Sequence, residues 1–122
     1  MSAIVVITTV GDEEQGNGIA RELVLRRHAA CVNMLPGVKS FYRWKGKVCR
    51  DGEYLLIIKT LASEYEAVAA AIKELHSYEL PEILAFDISQ GEPAFLDWIG
   101  SSLDKDADFP DEDDDFPDLD AL

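Results

Sequence analysis

Cysteine and histidine are scarce in this sequence: Cys31, Cys49, His28 and His76 are all that its 122 residues provide. Two isolated cysteines cannot make a disulfide framework, and without a CxxC pair or clustered Cys/His spacing the chain lacks the usual pattern of a structural zinc site. Both facts suit a reducing cytoplasm. Also missing is any run of about 20 apolar residues of the kind a membrane span needs. MSAIVVITTVGD turns polar too early, and has no basic segment before it, to read as an export signal. A soluble, cytoplasmic protein with no membrane partner is expected. Basic charge is short as well, with 11 Lys and Arg against 24 Asp and Glu and a net charge of −13. Nucleic acid and anionic lipid are poor partners for such a chain through bulk charge.

What is present is ample apolar material, 48% of the residues, enough for one packed domain over residues 1–103. SAIVVITTV is rich in β-branched residues and apolar almost throughout, as in a central strand covered on both faces. GDEEQGNGIARELVLRRHA has acids first, then Arg26, Arg27 and His28, with Ile19, Leu23 and Val24 at helical spacing, so it reads as a dipole-matched helix. Gly16 and Gly18 weaken its early turns and predict a late start. In CVNMLPGVKSFYRWKGKV the even positions Val32, Met34, Val38, Tyr42 and Trp44 are apolar or aromatic, a period of two that predicts a long strand with one covered face, interrupted at Pro36 and Gly37. Lys45 and Gly46 make a two-residue turn, and KVCRDGEYLLIIKT returns as the partner strand. SEYEAVAAAIKEL opens on Ser63 with Glu66 three residues later, the pattern of a capping box. After Pro81, EILAFDIS reads as a strand and EPAFLDWIGSSL as a short closing helix with Phe95, Leu96 and Ile99 inward.

The order β-α-β-β-α-β predicts an α+β, ferredoxin-like sandwich, an antiparallel sheet with helices on one face, carrying a long β-hairpin and a short C-terminal helix. Each hairpin arm of about 14 residues would span roughly 46 Å if straight, against a body of roughly 33 Å. The hairpin must therefore bend around the body or project, and its exposed Phe41, Tyr42 and Trp44 predict a closed homo-oligomer joined through these arms. Residues 104–122 carry ten acids and one lysine. That composition predicts a disordered acidic tail, with solubility as its simplest role. Its carboxylates would also suit hard cations, and Phe109 and Phe116 could dock against Lys39, Arg43 and Lys45.

The run AACVNMLPGVKSFYRWKGKV, followed by EYLLIIKT, LHSYELPEILAF and FLDWI, closely resembles the CutA divalent-cation tolerance family over residues 4 to 99. The resemblance implies a ferredoxin-like subunit, a homotrimer built through the long hairpins, an association with tolerance of copper or another divalent cation, and likeness to PII-type signalling proteins that bind small ligands between subunits. Positions that match include Cys31, Asn33, Tyr42, Trp44, Lys59, His76, Tyr78 and Trp98. Ser77 stands where the family usually has proline, and Thr8 and Leu75 where some members carry a cysteine and a histidine.

Three chemistries compete for His76: a helix-end residue suited to the dipole, a metal ligand, or a general base acting with Glu79 in a small cleft enzyme. Glu79, three residues on, could add a carboxylate ligand. Cys31 is either a small core residue or a thiolate ligand supplied across subunits. Lys59, at the end of an apolar strand, could hold an anionic metabolite in an intersubunit cleft lined by Tyr42, Trp44 and Tyr78. The resemblance favours a non-enzymatic metal-tolerance protein with copper as its leading ion, and the metabolite sensor and the cleft enzyme are the alternatives.

Overall fold

A computed structural model describes residues 2–106; the acidic stretch from residue 107 onward lies outside the described residues. Four strands, β1 (Ala3–Val10), β2 (Cys31–Trp44), β3 (Lys47–Leu61) and β4 (Leu84–Asp87), are joined by helices α1 (Glu13–Leu25), α2 (Tyr65–Leu75) and α3 (Pro93–Ser102). The sheet runs β2-β3-β1-β4 with every neighbouring pair antiparallel. This is the ferredoxin-like arrangement, with the continuously apolar runs of β1 and of β3 (residues 55–58) at its centre.

One face of the sheet is the core. Ile4, Val6 and Val10 of β1 and Leu56 and Ile58 of β3 pack against Ile19 and Leu23 of α1 and Val68, Ala71 and Ile72 of α2. α1 starts at Glu13, not late, because Asp12 caps it, accepting a hydrogen bond from the Gln15 N–H at 2.8 Å. Gly16 sits inside it for a steric reason. A Cβ there would meet Met34 Sδ at 2.6 Å and Val10 Cγ2 at 3.1 Å, so any side chain would have to push Met34 aside and crowd Val10. The helix ends at Leu25, so the basic residues expected in its last turn lie beyond it and make tertiary contacts. Arg26 pairs with Glu22 and Glu74, and His28 Nδ1 lies 3.0 Å from Glu64. Burial alone would raise the Glu64 pKa, but hydrogen bonds from His28 and Lys105 outweigh it and hold the carboxyl below its ordinary value. The expected cap at Ser63 is absent, because a 3-10 turn over Ala62–Glu64 precedes α2 and Glu64 occupies the capping position without a side-chain bond.

The third helix departs from the expected one-sided layering. α3 packs Ile99, with Leu103 just beyond its end, on Ala3 and Leu61, residues whose alternation points them away from α1 and α2. Leu96 joins that contact and Phe95 stays exposed, so the expected inward set is only partly inward. β4 is four residues long and exposed throughout, a short edge strand.

The hairpin turn at Lys45 and Gly46 has φ of 50° and 80°, the positive pair that a two-residue turn of the primed type requires. Between Leu35 and Val38 the register slips by one residue, a bulge at Pro36 and Gly37 with Gly37 at φ 78°. The slip corrects the single-face reading of β2. Val32 and Met34 lie on the α1/α2 side, whereas Val38, Tyr42 and Trp44 share the opposite face with Glu53, Cys49 and Lys47. The arm curls enough to bring Lys45 Nζ to within 3.9 Å of Glu79 in the loop after α2.

Thr8 stands in the core, fully buried opposite Leu56, and among the described residues its Oγ1 has no hydrogen-bond partner. An orphaned buried hydroxyl costs about 1–3 kcal/mol, and valine has nearly the same shape. Thr8→Val should raise the melting temperature by about 4–8 °C per kcal/mol regained; an unchanged or lower melting point would show that the hydroxyl is satisfied.

Candidate functional site

At the end of α2 the chain leaves the helix at His76, whose backbone is already extended (φ −82°, ψ 141°) while its N–H still bonds to Ile72 O. The ring therefore swings back over the end of β1. Nε2 lies 2.7 Å from the Thr9 carbonyl and Nδ1 lies 3.0 Å from the Tyr78 N–H. A carbonyl only accepts and an amide N–H only donates, so Nε2 carries the proton and Nδ1 is the acceptor. Both nitrogens of this buried ring are engaged within the subunit.

Tyr78 continues the cluster. Its ring lies 4.5 Å from that of His76, and its hydroxyl donates to Glu53 Oε2 at 2.7 Å. Gly11 makes room, since a Cβ there would meet the Tyr78 hydroxyl at 3.1 Å. Glu53 is buried, and alternation along β3 puts it on the face turned away from α1 and α2. Two residues along the same face, Tyr42 donates a hydrogen bond to Asp51. Burial, then the bond to Glu53, pushes the Tyr78 phenol up; the bond to Asp51 pushes Tyr42 up to about 12. The site thus holds two phenol–carboxylate pairs side by side, with both phenols kept protonated as donors.

Neither Glu53 nor Asp51 was among the residues singled out from sequence. Their signal is the strand period itself. Stepping back by twos from Lys59 through Ile57 and Leu55 lands on Glu53 and Asp51, which places two acids on an otherwise apolar face.

The other expected residues fall in separate places. Cys31 is the cross-strand partner of Lys59, opposite Val5 in β1. His76 contacts Thr9, four residues farther along, about 13 Å away at the usual strand rise. Cys31 Sγ is 3.8 Å from the Asn33 side chain. Glu79 is exposed, with Lys45 as its ionic neighbour. Lys59 Nζ sits 5.8 Å above the Phe95 ring, and Phe95 stacks on Trp98 at 5.4 Å. Trp44 has Lys45 5.8 Å from its ring. Among the described residues no group of three His, Cys, Asp or Glu side chains is placed to hold a metal ion. The described donors of one subunit do not by themselves make a closed metal site.

What surrounds the cluster is apolar and uncovered. The face opposite α1 and α2 carries Val5, Ile7, Leu55 and Ile57 at its centre, flanked by Leu35, Leu84, Phe86, Phe95 and Trp98, each at least 42% exposed. Soluble monomers rarely leave a contiguous apolar surface of this extent open.

Residues 4–102 match the family model for the CutA1 divalent ion tolerance protein. A divalent-cation tolerance protein CutA of Thermus thermophilus is 45% identical over 95 residues, covering 78% of this chain and 92% of that protein. The chloroplastic protein CutA of Arabidopsis thaliana is 42% identical over 100 residues, 82% of this chain but only 55% of that protein. The crystal structure of CutA from Xylella fastidiosa superposes with a TM-score of 0.83 at 39% identity, covering 85% of this chain and 100% of that one. A CutA structure from Archaeoglobus fulgidus, described as a periplasmic divalent cation tolerance protein, gives a TM-score of 0.81 at 36% identity, covering 83% of this chain and 98% of that one. Among the described residues no helix is long and apolar enough to cross a membrane.

Proposed function

As the chain belongs to the CutA1 family of divalent ion tolerance proteins, we propose that it is a non-enzymatic, cytoplasmic homotrimer that contributes to tolerance of divalent metal ions, copper foremost. The observation that carries this reading is the apolar sheet face left open beside the Tyr78–Glu53 and Tyr42–Asp51 pairs. Copies of the same chain supply its cover. The curled hairpins bring the faces together, and a closed ring leaves no edge unpaired.

Assembly also answers the metal question that a single subunit leaves open. Cys31 and Glu79 lie at or near the surface of one chain, where a second and third chain can bring matching donors within reach. A thiolate among these donors favours copper or zinc over hard cations. The cytoplasmic placement rests on the two free cysteines. A second reading has its own support. Lys59, held over Phe95 beside the exposed Trp98, offers a cation and two aromatic faces to a small anionic ligand at the subunit boundary.

Equilibrium dialysis of the full chain against copper should saturate at a whole number of ions per three chains, and Cys31→Ser or Glu79→Gln should weaken that binding without changing the melting point in chelator. Uptake that never saturates, or that ignores both substitutions, would reject the metal site and leave the anionic-ligand reading of Lys59.

A further inference from the structure

The far end of the hairpin concentrates the chain's positive charge. Residues 39–50 hold five of its 11 Lys and Arg and not one acid. Lys39, Arg43, Lys45, Lys47 and Arg50 are all exposed, and among the described residues only Lys45 has a carboxylate within 4.0 Å. The cross-strand register sets Phe41 beside Arg50 and Arg43 beside Val48. Phe41 is 67% exposed and Val48 70%, so cations and bare apolar groups alternate along one strip. That strip lies on the opposite face of the hairpin from Tyr42 and Trp44, and so away from the surface the proposed trimer covers.

A surface of unpaired cations interleaved with apolar side chains fits an acidic peptide that carries aromatics. Residues 107–122 have that chemistry, with eight acids, no base, and Phe109 and Phe116 each inside a DFPD repeat. The chain also delivers them to the right place. Lys105 Nζ bonds to Arg27 O at 3.1 Å and to Glu64 at 3.0 Å, which fixes the start of the tail close to where β2 begins. From Cys31, Lys39 is about 26 Å along the strand and Arg43 about 40 Å. Sixteen extended residues reach about 53 Å, enough to cover both. The proline in each repeat disfavours helix and withholds an N–H, which suits side-chain docking on a face.

We propose that residues 107–122 dock on this strip of their own hairpin, with carboxylates on Lys39, Arg43 and Arg50 and a phenylalanine on Phe41 and Val48. The proposal does not depend on metal binding. Zero-length carbodiimide cross-linking of the full chain, read by mass spectrometry, tests it, because an amide forms only where a carboxylate touches an amine. Tail carboxylates should join Lys39 or Lys45 several times more often than Lys59 or Lys73 at low ionic strength. That excess should fall several-fold near 1 M salt, where the screening length shrinks to about 3 Å. Arg43→Ala with Arg50→Ala removes no cross-linkable amine and should lower the yield several-fold, with an unchanged melting curve as the check on folding. Cross-links no richer at the hairpin than at Lys59 and Lys73, or indifferent to the arginine substitutions, would overturn the proposal. In isotope-labelled and unlabelled protein refolded together, mixed-label links at the statistical share expected for links between chains would overturn the assignment to the chain's own hairpin.

Discussion

Replacing Ile57 by aspartate is expected to leave the protein monomeric. Ile57 sits in the middle of β3, paired with Ile7 on one side and Asn33 on the other, on the sheet face that α1 and α2 do not cover. The substitution leaves the α1/α2 core of the subunit intact, because that core is built from the alternate residues Leu56 and Ile58. In a trimer closed over this face, however, three carboxylates would enter an apolar interface together. Burying an unpaired charge costs several kcal/mol each even after relaxation, and every 1.4 kcal/mol is tenfold in the dissociation constant. Three such penalties exceed what a micromolar or nanomolar assembly can absorb. Sedimentation equilibrium at micromolar subunit concentration should give three chains for the wild type and one for Ile57→Asp. A wild type that sediments as one chain, or a variant that stays trimeric, would reject this face as the interface.

The parts of this fold that were legible in the sequence are those governed by local period. β1 and the LLII run of β3 are apolar on both alternations, and their strands are the two central ones. Lys45 and Gly46 mark a primed turn, and the turn is there. What local period cannot register is a change of phase. Val32, Met34, Val38, Tyr42 and Trp44 are all even-numbered, yet the extra residue at Pro36 and Gly37 moves the last three to the opposite face. The same limit hid the cluster at Glu53, because its partner Tyr78 lies 25 residues away and arrives through a loop. Gly16 misled for a related reason. Helix propensity counts a glycine as a cost, while the close approach of Met34 and Val10 that favours it is a tertiary fact.

His76→Ala is expected to destabilise the chain by about 2–4 kcal/mol with no metal present. The alternatives for His76 in the sequence were a helix-end cation, a ligand and a base; the geometry adds a further role. Its ring ties the loop after α2 to the last turn of β1 by donating to Thr9 O and accepting from the Tyr78 N–H, while packing on the Tyr78 ring. Alanine would leave two partly buried backbone groups without partners and would free Tyr78, whose hydroxyl is the partner of buried Glu53. His76→Gln separates the contributions, since its side-chain amide can still reach Thr9 O but leaves the Tyr78 N–H unpaired. It should recover about half of the loss. Urea unfolding in chelator, at one fixed protein concentration, measures both variants. If alanine unfolds at the wild-type midpoint, the ring is not a structural tie. Copper dialysis of His76→Gln, which keeps the fold but presents no imidazole, then reads any ligand role separately. Undiminished copper binding there would confine His76 to holding Tyr78 in place, and a loss would mean that metal takes Nδ1 by displacing the Tyr78 N–H.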